Sequence, residues 1–419
     1  MKPWYTRLDA MSLALWLVLV VSGLLAIYST THGAAADLFT SSPRQNFDRQ
    51  VMWLGISSVG LVIALLLPIR FYQMAAFPIY AITVLLLLAS LLVGREINGA
   101  KSWIVLGPIQ FQVSELAKVG TVLALAQLVG MRRPKTMGLD VGLSIVGIIL
   151  LPAVLIILQN DTGTALVFFG LIPIALFWSG LEFNLLLIMI APAVAGYLAI
   201  VNLPAAVIFA LVFTGFMWWR TKDRRMAGVA ALFSGGTAAV ASFAIMNVLQ
   251  PYQVARVLSF TNPGAAEFRD NAGFHQLQSM AAIGSGGWNG KGFMQGTQTQ
   301  GSYVPEQSTD FVFSVIGEEF GFLGAALVLL LLMAFLVRLV HLGGQMKHPF
   351  GVMVASGAVG IYLVHTFINV GMATSLLPVI GIPLPFISYG GSALLANTAL
   401  LAIVLSLHMR KDEFSIYGY

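Results

Sequence analysis

The stretch YVPEQSTDFVFSVIGEEFG, residues 303–321, sets four carboxylates against the start of an apolar run. Glu306 and Asp310 precede the run, and Glu318 and Glu319 lie inside it. The run continues from 311 to about 337, which at about 1.5 Å per residue is enough to cross a ~30 Å hydrocarbon core. Ionised side chains at that depth cost several kcal/mol or more and therefore tend to mark sites. A span that keeps four of them at one end points to a membrane protein whose chemistry is gathered where water meets lipid.

The rest of the chain agrees. It has 419 residues, 58% hydrophobic and 9% charged, where an ordinary soluble domain is about a quarter charged. It reads as an all-α polytopic membrane protein, one integral membrane domain over 1–419. The net charge of +5 is small for this length and follows membrane orientation, so nucleic acid is not an expected partner. With no cysteine there is no disulfide, thiolate nucleophile or Cys-based metal site. The six histidines include no His-x-x-x-His pair, which argues against a built-in zinc site.

Twelve apolar runs are expected to span. The first follows Lys2 and Arg7 and ends near Ile27; a cleaved signal peptide competes with it, but the run is long for one and many spans follow. The others lie near 51 to 68, 75 to 93, 115 to 131, 142 to 158, 164 to 180, 184 to 201, 203 to 219, 228 to 249, 311 to 337, 350 to 372 and 391 to 408. With the N-terminus in the cytoplasm, fourteen of the 22 Lys and Arg residues fall on inner loops and eight on the outer side, satisfying the positive-inside rule with both termini inside. The basic run from Arg220 to Arg225 reads most simply as a topology anchor, with a lipid-headgroup or partner patch as the alternative. Every motif-like stretch then falls outside, and the longest outer loop, 250–310, exceeds ordinary connections and reads as functional.

Four outer stretches carry candidate chemistry. In GREINGAKSWIVLGPIQFQVSELAK, residues 94–118, Trp103 to Leu106 form an apolar patch suited to the interface, and Gln110, Gln112 and Ser114 offer neutral hydrogen-bond groups. Glu115 and Lys118 share a helix face and can pair; Ser114 and Glu115 also fit plain N-terminal capping, but a cap needs no lysine one turn deeper in lipid. In QNDTGT, 159–164, Asp161 serves equally as a helix cap or a substrate contact. IGSGGWNGKGFMQGTQTQ, 283–300, fails the Walker pattern, yet its backbone amides can cradle a phosphate with Lys291 as counter-charge, and Arg256, Arg269 and Lys291 together suit a pyrophosphate. LLPVIGIPLPFISYGGS, 376–392, is apolar but broken by Pro378, Pro383 and Pro385, and so reads as a re-entrant or interfacial segment. Asp310 stands apart among the acids: at the water-to-lipid boundary before Phe311, partial desolvation should raise its pKa and suit it to general-base work. Glu318 and Glu319 can instead hold helices together or pair with a buried base.

Taken together, NGAKSWIVLGPIQFQVSELAK, QNDTGTALV, the run from Gln278 through VPEQSTDFVFSVIGEEFG, and NVGMATSLLPVIGIPLPFISYGGSALL resemble the SEDS family (shape, elongation, division and sporulation) of peptidoglycan glycosyltransferases. IGSGGWNGKG with GTQTQ is more similar to the rod-elongation branch; IGEEFG is closer to the division branch, whose polymerase is the alternative. The resemblance implies a SEDS-like helical bundle of ten core spans, so that 203 to 219 and 228 to 249 are two extra. It places an essential aspartate on Asp310 and a Glu/Lys motif on Glu115 and Lys118. Val113 replaces the motif's proline, Ser102 an arginine before the tryptophan, and Asn160-Asp161-Thr162 a Pro-Asp-Leu.

The implied substrate is lipid II, polymerised into glycan strands on the outer face of the bacterial cytoplasmic membrane, with Asp310 as base and Glu115 and Lys118 catalytic. Trp103, Gln112, Ser114, Asp161, Lys291, Glu306 and Ser388 are the expected substrate contacts. A divalent cation, Mg2+ or Mn2+, shared by Asp310 and Glu115 would offset charge on the leaving pyrophosphate; Lys118 and Lys291 would do so without metal. The expected partners are membrane lipids and a class B penicillin-binding transpeptidase. A lipid II flippase is the rival reading, but transport predicts polar residues through the inner half and inverted repeats, whereas here the polar residues crowd to one face.

Overall fold

The computed structural model describes residues 7–33, 45–97, 100–106, 109–131, 138–247, 254, 258–265, 268 and 273–412. Eleven helices among these are long and apolar enough to cross a membrane. The remaining expected span, 164 to 180, is a shorter apolar helix of 17 residues, Thr162–Trp178. Arg256 and Arg269, two of the three cations expected at a pyrophosphate, lie outside the described residues.

The chain divides into two compact units, one of residues 1–179, 278–373 and 380–419, the other of residues 180–277 and 374–379. The first unit opens with α1 (Ala10–Thr31), α2 (Asn46–Leu66) and α3 (Ile69–Val93). A small antiparallel sheet follows, β1 (Arg95–Ile97), β2 (Ala100–Leu106) and β3 (Ile109–Gln112), with Trp103 opposite Gln112 and Ile104 opposite Phe111. The reading of 94–118 as an interfacial patch contained no strands. The β-branched pair Ile104-Val105, with Gly107-Pro108 next in the sequence, favours a hairpin whose backbone bonds are internally satisfied, which is what an interface demands.

Next come α4 (Val113–Met131), α5 (Leu139–Leu158) and α6 (Thr162–Trp178), and after the second unit α11 (Thr297–Gln300), α12 (Val312–Gly344), α13 (Pro349–Ala373) and α14 (Gly391–Met409). α14 lies against α2, α4 and α13; α13 lies against α4, α6 and α12; and α3 covers α4. The helices that carry polar groups are the ones most enclosed. α4, with Glu115 and Lys118, α13, with His365 and Asn369, and α14, with Asn397 and Thr398, are mostly buried, whereas the largely apolar α3 faces outward along much of its length. The face that a span turns to lipid must be apolar, so the helices richest in polar side chains sort to the centre.

α12 is not one straight rod. Gly321, at φ 67° and ψ −163°, breaks it, in a region of backbone space open essentially to glycine. The glycine-rich turn at 286–292 lies in the break: Lys291 N and Gly292 N donate to the carbonyls of Glu318 (3.0 Å) and Glu319 (2.9 Å), while Phe322 N and Leu323 N donate to those of Gly287 (2.8 Å) and Trp288 (3.1 Å). A Cβ on Gly321 would collide with Gly290 N and the Trp288 carbonyl. Two amides of this stretch, those of Lys291 and Gly292, are therefore spent on α12.

The second unit contains α7 (Phe183–Val201), α8 (Leu203–Thr221) and α9 (Arg224–Asn247), which pack on one another through small residues, among them Ala199, Ala206, Ala230 and Ala238. α10 (Phe274–Ser285) follows the long connection.

Candidate active site

The site forms around a turn that ends at Asp310. Glu306 adopts φ 48°, and its carbonyl accepts from the backbone N–H groups of Thr309, Asp310 and Phe311 at 3.1 to 3.2 Å. The turn is tied to the proline-broken segment before α14. Ser388 Oγ donates to the Thr309 carbonyl and accepts from Leu384 N (2.8 Å), and Tyr389 N donates to the Ser308 carbonyl (2.8 Å). That segment is buried, with Ile382, Leu384 and Ile387 at 1% exposure or less. Gln50 of α2 fixes its far end, accepting from Gly390 N (3.1 Å) and donating to the Ser388 carbonyl (3.4 Å). From α13, Asn369 Nδ2 donates to the carbonyls of both Asp310 (2.9 Å) and Ile382 (2.7 Å).

These ties hold Asp310 at a cleft of about 310 Å³. Trp103, Gln112, Asp161, Glu306 and Asp310, all expected site residues, line it together. Asp310 is half-buried, and among the described residues its carboxylate accepts no hydrogen bond. Burial, with the charge of Glu306 nearby, pushes its pKa up to about 7. Room for the carboxylate depends on Gly381, at φ 78°, where a Cβ would stand 3.2 Å from Asp310 Oδ2.

Asp161 performs one of the two tasks open to it, the helix cap, and a further one besides. Its Oδ1 accepts from Thr164 N (3.1 Å), capping α6, and its Oδ2 accepts from Gln112 Nε2 (2.8 Å) and Ser114 Oγ (3.2 Å), pulling β3 and α4 onto the same turn.

The remaining expected residues are not on the cleft wall. Ser114 and Ser388 are buried and act through the bonds just described. Glu115 and Lys118, each 2% exposed, form an ion pair at 2.9 Å one turn below the start of α4. Lys118 Nζ also lies 2.8 Å from His365 Nε2, and His365 Nδ1 lies 3.1 Å from the Pro383 carbonyl. The nitrogen facing a carbonyl must be the donor, so Nε2 accepts from the ammonium and the ring is neutral. Lys291 is elsewhere: it pairs with the fully buried Glu318 at 2.7 Å and donates to Ser285 and Thr297 hydroxyls, also at 2.7 Å. Glu318 further accepts from Gln298 N and Thr299 N, both at 2.8 Å, so it is a structural anchor.

The shared cation does not fit these residues. Both Glu115 oxygens face the Lys118 ammonium, and Glu115 does not line the cleft that Asp310 faces. Among the described residues no group of three or more His, Asp or Glu side chains is placed to hold a metal ion.

Sequence reasoning missed Arg49, Trp53 and Tyr389, which line the cleft from α2 and from the segment before α14. The Arg49 guanidinium lies near the Tyr389 phenol; burial raises the phenol's pKa and the guanidinium opposes the rise. Arg49 Nη2 also donates to Gln45 Oε1 (2.8 Å). Its signal was present in its position, a cation at the outer end of a span against the positive-inside trend. His365 and Asn369, one turn apart in an apolar run, were also visible as intramembrane polar groups.

A family model for FtsW, RodA and SpoVE, described as cell cycle proteins, matches the chain over residues 9–208 and 186–413. The chain belongs to this family, the SEDS proteins. Peptidoglycan glycosyltransferase RodA of Treponema pallidum is 32% identical over 449 residues, covering 96% of this chain and 98% of the relative. MrdB of Escherichia coli, also named a peptidoglycan glycosyltransferase, is 31% identical over 409 residues, covering 98% and 95%. A solved peptidoglycan synthase complex, described as coordinating polymerization and crosslinking, contains a chain with TM-score 0.72 and 29% identity over 96% of this SEDS protein and 98% of that chain. The crystal structure of Thermus thermophilus RodA superposes with TM-score 0.63 and 26% identity, covering 98% and 99%. The two stretches that match the SEDS model share residues 186–208, in α7 and the start of α8.

Proposed function

We propose that this SEDS protein polymerises lipid II into glycan strands during cell elongation, with Asp310 as the general base. The acceptor sugar's 4-hydroxyl gives its proton to the Asp310 carboxylate while its oxygen bonds to the donor's anomeric carbon. The bond from that carbon to the pyrophosphate oxygen breaks, configuration inverts, and undecaprenyl pyrophosphate leaves. The observation that carries the reading is Asp310 itself, a carboxylate that accepts no hydrogen bond among the described residues, facing a cleft and holding its proton up to about 7. A base poised near the working pH is the efficient one, and such groups contribute about 10² to 10⁴ in rate.

The developing charge on the leaving group is met by Arg49, whose planar fork suits phosphate and is oriented by Gln45 beside Tyr389. Glu115 and Lys118 act one layer behind, as a buried pair that braces the Pro383 backbone through His365. Trp103 offers an apolar ring to the substrate's sugars or lipid. The same reading puts the cleft on the outer face of the bacterial cytoplasmic membrane, both termini inside, and a class B penicillin-binding transpeptidase alongside. Purified wild-type chain and Asp310→Asn are compared on lipid II. Glycan strands from the first and none from the second are expected, and equal rates would remove Asp310 from the chemistry.

A further inference from the structure

α8 and α9 are joined by two residues, Lys222 and Asp223, so the hairpin tip WWRTKDRRM, 218–226, carries four cations and one carboxylate. The carboxylate is engaged with backbone: Asp223 Oδ1 accepts from Arg225 N (2.8 Å) at the start of α9. Arg220 is held in place, its Nε donating to Asn184 Oδ1 (2.7 Å) and its guanidinium over the Phe183 ring at 5.4 Å. Lys222, forced to φ 54° by the tight turn, hangs over the Trp219 ring at 6.0 Å.

Four other described cations are paired with carboxylates: Arg7 with Asp412, Lys118 with Glu115, Lys291 with Glu318, and Arg338 with Asp9. Lys222, Arg224 and Arg225 are exposed and, among the described residues, make no side-chain ion pair. Immediately toward the apolar side stand two exposed indoles, Trp218 at 55% and Trp219 at 66%, residues that settle at headgroup depth. Insertion of the hairpin needs only a surplus of positive charge. It does not call for one arginine pinned by a neighbouring helix, paired exposed tryptophans and three uncommitted cations within four residues.

We propose that this tip is a binding site for the phosphate of an anionic phospholipid headgroup, its acyl chains lying along the apolar faces of α8 and α9. Lys222, Arg224 and Arg225 supply the charge, Arg220 sets the edge of the site, and Trp218 and Trp219 fix its depth. The site is independent of the cleft chemistry. Each exposed cation at such a surface strengthens binding by about fivefold.

The test is native mass spectrometry of the full chain released from vesicles of equal phosphatidylcholine and phosphatidylglycerol. Wild type is expected to retain phosphatidylglycerol selectively, and a Lys222→Gln/Arg224→Gln/Arg225→Gln variant to lose that selectivity, about fivefold per charge. Glycan polymerisation is expected to continue in the variant. Equal retention of the two lipids by wild type overturns the proposal without any need for a folded variant. Unchanged selectivity in the variant also overturns it and leaves the cations as a topology signal. Displacement of the retained lipid by millimolar inorganic phosphate would reassign the tip to a soluble anion.

Discussion

Asp310 and Glu306 stand one turn apart on the same cleft wall, and each alters what the other can do. The pH profile follows. A base with a pKa of about 7 is active above that value, so polymerisation is expected to rise as pH passes through 7. Glu306→Gln removes the nearby charge that helps raise the value, so the rising limb should move to lower pH; a limb that stays in place would mean burial alone sets it. The same shift bears on stability, with the opposite sense from a salt-bridged acid. The folded form holds the proton between the ordinary 3.8 and about 7, so stability is present below that window and is lost as pH rises through it. Thermal unfolding of wild type and Asp310→Asn across pH 4 to 8 reads the difference. Arg49→Lys keeps the charge but not the fork. If Arg49 meets the charge that develops on the pyrophosphate, initial-rate kinetics on lipid II should show kcat lowered by about tenfold, with a smaller change in KM.

At the level of elements, the contact between α4 and α13 rests on a lysine that has no exit to water. Removing one member of a buried pair strands the other, so Lys118→Met is expected to cost about 3 to 5 kcal/mol, while Glu115→Gln/Lys118→Met should recover much of it. Melting temperatures of the two variants in one detergent decide the matter. α12 depends on a different device: Gly321→Ala should cost about 1 to 3 kcal/mol, because the residue must leave its backbone region and push the 286–292 turn out of the break. The sequence showed glycines and an apolar run here, but not that one would break the other. An apolar run reports that a segment is buried in lipid, and carries no trace of a second segment hydrogen-bonded into it. The sheet at 95–112 escaped for a related reason, since a short apolar stretch reads alike as strand or interfacial loop.

Over the whole chain, hydropathy and charge made the spans legible, and the stretches carrying Trp103, Gln112, Asp161, Glu306 and Asp310 were found from residue type alone. What the sequence did not disclose was which charges are spoken for. Lys291 and Glu318 are 27 residues apart, Lys118 and His365 are 247 apart, and no local pattern ties such partners together. Sidedness can be read directly, because the chain has no cysteine of its own. Glu306→Cys should react with a membrane-impermeant maleimide in intact cells, and protection of that thiol until the cells are lysed would reverse the proposed orientation. The placement of α14 has a bearing on synthesis as well. Of the described helices, α14 is the one synthesised latest, and it covers α2, α4 and α13. Until it arrives, the flank of α4 it will cover stands against lipid or a chaperone, so a chain stalled before residue 391 is an open assembly and a target for quality-control proteolysis rather than a shorter working enzyme.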